Sequence, residues 1–358
     1  MRKLIILGLI LLLLCLPVHA TEELGVETDG LQEGLSGEAQ ELMPEIEPGG
    51  QSDFWEGLKE LFLNAWDKAS GSFRDGIRLC ALLLCVVTLC AVVDMSSVKN
   101  GGLIIKAAGA LGICAAMIGA FESMISMAAA TVQEISTYSS FLLPVLASAS
   151  AMSGGVTSAS ALYVGTILFS QILLQLISKL LIPAVYFYLA ICTAEAAISS
   201  DMLSELREFI GWVISKSLRV LLYLFIAYMS ITGVISGTTD AAAVKATKAA
   251  VSGMIPVVGN IISDASESLL ASASLLKNSA GIFGMLAVLA ICLLPVIKTG
   301  LHYLLLKITA AVSGAIGIKS HVNLLKHFSV AMGYLLAMCG TGGLLMLIST
   351  VCFMRAVG

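Results

Sequence analysis

Seven ionisable residues lie in or against long apolar runs of this sequence: Glu122, Glu195, Asp264, Glu267, Lys277, Lys298 and Lys307. Near the middle of a bilayer such a charge costs about 2.5–3.5 kcal/mol on insertion scales, so a retained one is usually paired, faces water, or moves protons or ions. Asp264 and Glu267 are three apart and so share one helical face, and Lys277 with Asn278 follows within about three turns. These four, together with Glu195, are candidates for a buried polar path or a structural network. The same charges read equally well as solvated groups at a membrane surface. The small residues between Ser263 and Ser274 fit close helix packing better than they fit chemistry.

Other chemistries leave no trace. There is no Walker A loop, no GxGxxG after a strand, no nucleophile elbow and no pair of catalytic carboxylates, so no enzyme is expected. Cys15 and the eight cysteines from Cys80 to Cys352 all lie in apolar blocks without CxxC spacing. They read as small buried hydrophobes rather than disulfide partners. His19, His302, His321 and His327 form no metal pattern, and no cofactor is expected. Residues 21–50 carry nine acids and no base, a distribution that argues against nucleic acid as a partner.

The elements that must position these groups are set by composition. Of 358 residues, 58% are hydrophobic and 12% charged, about half the charged share of a soluble domain, roughly 25%. The apolar residues come in blocks of about 15–20, long enough to cross a hydrocarbon core of about 30 Å as helix. Lipid then leaves helices or closed barrels as the options, and barrel strands would alternate over only about 10 residues. The fold class expected is all-α, a polytopic helical membrane protein in contact with the lipid bilayer.

Along the chain, residues 1–20 read as a signal peptide cleaved after Ala20, with Arg2 and Lys3 ahead of an apolar run from Leu4 to Leu16. Residues 21–53 read as an acidic exported linker with too little apolar surface to fold alone. Residues 54–69 read as an amphipathic helix at the interface, carrying Trp55 and Trp66. The polytopic domain is 77–358. Eight spans are expected, at Leu79–Val93, Ala107–Phe121, Ala159–Ser178, Leu180–Ile198, Ser217–Gly237, Ser279–Ile297, Leu301–Ile318 and Phe328–Met354.

Two shorter stretches, Phe141–Val156 and Met254–Leu276, hold proline and many Gly and Ser residues, and read as re-entrant elements. Pro144 and Pro183 are 39 apart, as are Pro256 and Pro295, and the pairs are offset by 112 residues. That spacing suggests two halves, 141–237 and 253–354, forming an inverted repeat with helix breaks at the four prolines. In this topology Lys106, Lys319 and Lys326 lie inside with Lys99, while Arg207, Lys216 and Arg219 lie outside with the mature N-terminus.

The stretch Gly253–Lys307, with IPVVG, DASES and SLLKN, resembles the stage III sporulation protein AE family of endospore-forming bacteria. Thr239-Asp240 with Lys245 and Lys248, and LPVLASASAMSGG, are similar to the same family, and the likeness runs from about residue 77 to the C-terminus. The resemblance implies a mother-cell protein in the membrane around the forespore. There it would work with other membrane proteins of one sporulation complex that acts like a secretion channel, as pore or scaffold. A homo-oligomer is compatible with that role, and energy would come from a separate ATPase. An autonomous secondary transporter, with Asp264, Glu267 and Lys277 as coupling groups, is the competing reading.

Overall fold

The computed structural model describes residues 31, 34–43, 54–96, 102–198, 200–254 and 259–355, and for 233–277 the backbone alone. Among them every regular element is helical. A short helix, α1 (Gly37–Gln40), precedes α2 (Phe54–Ser96), α3 (Gly102–Met152) and α4 (Val156–Leu176). A π-helical turn, Ile177–Leu181, joins α4 to α5 (Ile182–Ile198), and α6 (Asp201–Met254), α7 (Gly259–Ser313) and α8 (Lys319–Arg355) complete the chain. The expected signal peptide, most of the acidic stretch and Pro256 lie outside the described residues.

Cross-helix contacts fix the directions. Phe121 meets Phe328 and Ser150 Oγ donates to the Phe353 carbonyl at 3.4 Å, so α3 and α8 run parallel. Gly343 lies against Cys292 and Gly281 against Met354, so α7 is antiparallel to α8. The α4–α5 rod is antiparallel to α8 over its whole length: Thr166 Oγ1 bonds Ser349 Oγ, Tyr188 packs on Tyr334, and Ser320 Oγ donates to the Ala196 carbonyl. Helix α6 returns beside that rod, with Arg207 on Glu195 at one end and Tyr228 Oη donating to the Ala161 carbonyl towards the other. Helix α2 packs its Gly76 against Leu305 and its Val87 against Gly317, parallel to α7. The result is an up-and-down bundle about 55 Å long, the rise of the 37 residues of α8.

Six helices are long and apolar enough to cross a membrane, not eight. The expected spans Ala159–Ser178 and Leu180–Ile198 are one rod. Pro183 has no N–H and its ring would collide with the Lys179 carbonyl in a regular α-helix; the π turn at 177–181 widens the backbone at that place, and Ile182 N–H bonds the Ile177 carbonyl. Likewise Ser279–Ile297 and the start of Leu301–Ile318 are one helix, α7, with Pro295 inside it and Thr299 Oγ1 donating to the Pro295 carbonyl. Pro144 also lies inside a continuous helix, α3. The first stretch read as re-entrant is therefore the end of one full-length helix and the start of the next.

The chain reverses at Ser153–Gly155. Gly154 sits at φ 96°, and Gly155 N–H bonds the Ser150 carbonyl, a glycine cap that closes the end of α3. Only glycine adopts this conformation without strain, so Gly154→Ala should lower stability by about 1 kcal/mol. Thermal denaturation of the detergent-solubilised chain would register it; a melting curve identical to the parent's would refute the assignment.

This topology also changes the expected sidedness. Lys106, Lys319 and Arg207 come together at one end of the bundle, because His321 Nε2 donates to the Lys106 carbonyl at 3.0 Å beside the Ser320–Ala196 bond and the Arg207–Glu195 pair. Arg207 cannot then lie across the membrane from the two lysines. The stretches paired as repeat halves differ in build: 141–237 holds the end of α3, the α4–α5 rod and much of α6, and 253–354 holds α7 and α8.

Many large apolar side chains point outward, Leu89, Leu111, Val164, Phe187, Tyr223 and Ile308 among them. In water that surface would drive aggregation; against lipid tails it is the ordinary exterior. Within the stretch read as an unfolded linker, residues 34–43 fold onto the bundle, with Leu35, Ala39 and Leu42 buried together with Leu31. Ser36 caps α1 by accepting from Ala39 N–H at 3.3 Å, Asn64 Nδ2 donates to the Leu42 carbonyl, and Lys68 bonds Glu41. That ammonium holds the Glu41 carboxyl below its ordinary range. Leu61, Ala65 and Ala69 turn the first part of α2 inward, while Trp55 and Trp66 face out.

Candidate functional site

The end of the bundle where Lys106 and Arg207 meet is open as a polar cleft of about 310 Å³. Three turns of chain create it. Helix α5 stops at Ile198, and Ser200 precedes Asp201, a Ser-Asp pair suited to starting a helix because each can satisfy free backbone N–H groups. Helix α7 stops at Ser313, and the turn through Gly317 leads into Lys319, the first residue of α8. The second turn of α3 brings Lys106 between them. Cys192, Glu195, Ser204, Asn323 and His327 complete the polar part of the wall.

The tightest interaction there is an ion pair. Arg207 Nε donates to Glu195 Oε2 at 2.8 Å, and Arg207 Nη2 lies 3.5 Å from Glu208 Oε1, so one guanidinium bridges two carboxylates. The Arg207 and Glu195 side chains are 13% and 22% exposed, which takes most of the pair out of water. Taken from water, a carboxylate is tolerated only with such a partner. Lys106 and Lys319 differ: neither ammonium has an ion-pair partner among the described residues. The described residues contain no group of three His, Cys, Asp or Glu placed to hold a metal.

The sequence candidates fall in separate places. Glu195 is in the cleft. Asn278 is exposed near the opposite end, three residues before Gly281 meets Met354, so no single network holds both. Asp264, Glu267 and Lys277 lie on the first part of α7, where only the backbone is described, and a path through their side chains lies outside the described residues. Of the prolines, Pro295 lines a pocket of about 80 Å³ beneath α1, into which Glu134 of α3 also points. Glu134 Oε1 is buried there without a hydrogen-bond partner.

Sequence reasoning missed Arg207, Lys106, Lys319 and Glu134. For Arg207 a signal existed. A Ser-Asp helix start at 200–201 makes residues a few positions before and after it neighbours on antiparallel helices, and Glu195 with Arg207 meets that condition. The approach of Lys106 to His321 spans 215 residues, and no local pattern carries it.

Comparison with known proteins gives one concordant result. A family model described as stage III sporulation protein AE matches residues 39–357. The stage III sporulation protein AE of Bacillus subtilis (strain 168) is 23% identical over 325 residues, covering 88% of this chain and 81% of that protein. No solved structure matches the chain significantly.

Proposed function

We propose, from the premise that the chain belongs to the stage III sporulation protein AE family, that it is a non-enzymatic membrane subunit of a channel-like complex between mother cell and forespore. It sits in the mother-cell membrane that surrounds the forespore, with its N-terminal segment exported, and works with other membrane proteins of that complex. The observation that carries the scaffold side of this reading is the filled interior. Met117, Leu142, Phe225, Phe283, Leu335 and Phe353 are all at most 2% exposed across the bundle. Tight small-residue contacts at Gly109, Gly165 and Gly284 leave no lumen among the described residues of one copy. A conduit, if this subunit lines one, then lies between copies or against partners.

The competing transporter reading needs charges that move with the cargo. Exchanging Asp264 and Glu267 together for Asn and Gln in an endospore-forming host separates the two. A scaffold keeps heat-resistant spore counts near the parent's, whereas deletion of the gene collapses them. Spore counts that collapse with the double exchange while the chain still accumulates and assembles would favour the transporter; a gene deletion without effect on sporulation would sink both.

A further inference from the structure

The end cleft is polar inside and greasy at its rim. Ile104 lies one turn before Lys106, and Ile198 and Met202 flank Ser200 and Asp201; the three are 72%, 64% and 79% exposed. In a chain with lipid around it, a polar hollow with an apolar lip at the end of a helical bundle sits where head groups join acyl chains. The charges inside are separated by sign. Lys106 and Lys319 bring two ammonium groups without ion-pair partners among the described residues, and α8 begins at Lys319, so its first N–H groups add positive potential on the same side. Across from them is Asp201, which opens α6. Glu195 is already neutralised by Arg207. The site therefore has two positive groups for an anion and one carboxylate left for a cation.

We infer that this cleft binds the head group of an aminophospholipid, its phosphodiester held by Lys106 and Lys319 and its primary ammonium by Asp201, with the acyl chains leaving over Ile104, Ile198 and Met202. Basic pockets between membrane helices hold lipid phosphates in this way. A volume of about 310 Å³ accommodates a phosphoethanolamine group and excludes a whole lipid, so the tails must remain outside. The lipid would tie together the ends of α3, α5, α6 and α8, which otherwise meet through few bonds.

The test is native mass spectrometry of the full chain, purified in detergent, stripped of lipid and titrated with three probes: phosphatidylethanolamine, phosphatidylglycerol and glycerophosphoethanolamine. The chain should bind phosphatidylethanolamine best. Lys106→Gln with Lys319→Gln should weaken it by about tenfold, as expected for losing two charge-assisted contacts. Asp201→Asn should erase the preference over phosphatidylglycerol while leaving phosphate-dependent binding. Glycerophosphoethanolamine binding as tightly as the lipid would mean a soluble phosphoester is the ligand and would overturn the membrane source. Equal binding by the parent and the double-lysine variant would overturn the site. If the double variant does not fold, Asn323→Ala probes the same wall, and unchanged lipid binding by that variant counts against the proposal.

Discussion

An Arg207→Ala chain should lose about 3 kcal/mol, near the lower end of the roughly 3–5 kcal/mol found when one partner of a buried ion pair is removed. The reason lies less in the lost attraction than in what remains. Glu195, 22% exposed, keeps a carboxylate with no other cation bonded to it, and Glu208 loses its neighbour as well. Arg207→Lys should recover only part of the loss, because an ammonium cannot reproduce a fork that reaches both acids. Glu195→Gln placed in the Arg207→Ala chain should recover most of it, since the amide can be buried neutral. Thermal denaturation of the four detergent-solubilised chains forms a double-mutant cycle. Simple additivity of the two single changes would show that the pair contributes nothing and that the α5–α6 turn is held by apolar packing.

The helical membrane class was legible because it depends on composition and block length, which survive any tertiary arrangement. Blocks such as Leu79–Val93 and Phe328–Met354 do lie in helices, α2 and α8. What the blocks could not show was where a helix truly ends. Lys179 and Pro183 look like a break between two spans, yet a five-residue π turn absorbs the proline and the rod continues. Lys298 looks like a second break, yet it is one side chain on a helix that runs through it. Conversely, Gly154-Gly155, read as a packing feature, makes the actual reversal. A charge or a proline weakens the case for a span, but a turn also needs a residue able to take the left-handed conformation, and only the glycine pair supplied one.

Sidedness failed for a related reason. The positive-inside count depends on how many times the chain crosses, and two crossings read as re-entrant loops invert everything between them. Full-length α3 and α4–α5 restore those crossings and gather Lys106, Lys319 and Arg207 at one end. The cleft is invisible to a linear reading because its walls come from positions near 106, 195, 201 and 320, and each alone looks like a solvated helix end. Charges at helix ends thus deserve to be compared with one another, not only with their own neighbours.

The interior should tolerate added volume as poorly as it tolerates lost charge, and Gly165 is where that is sharpest. A Cβ at this position would overlap the Tyr228 ring. The ring has no free direction: its hydroxyl donates to the Ala161 carbonyl at 3.1 Å, and Phe169, which also packs on Phe225 at 5.4 Å, lies 5.7 Å from it. Moving α6 away from α4 instead would open contacts along both helices. Gly165→Ala should therefore destabilise the detergent-solubilised chain by about 1–3 kcal/mol, and Gly165→Leu by more. Gly119 supplies the contrast, since no atom lies within 4 Å of a Cβ built there, and Gly119→Ala should leave the melting curve unchanged or slightly improved. Adding Tyr228→Ala to the Gly165→Ala chain removes the obstructing ring. If close approach of α4 and α6 is what the glycine provides, the combined chain loses less than the sum of the two single changes; a fully additive loss would place the role of Gly165 elsewhere.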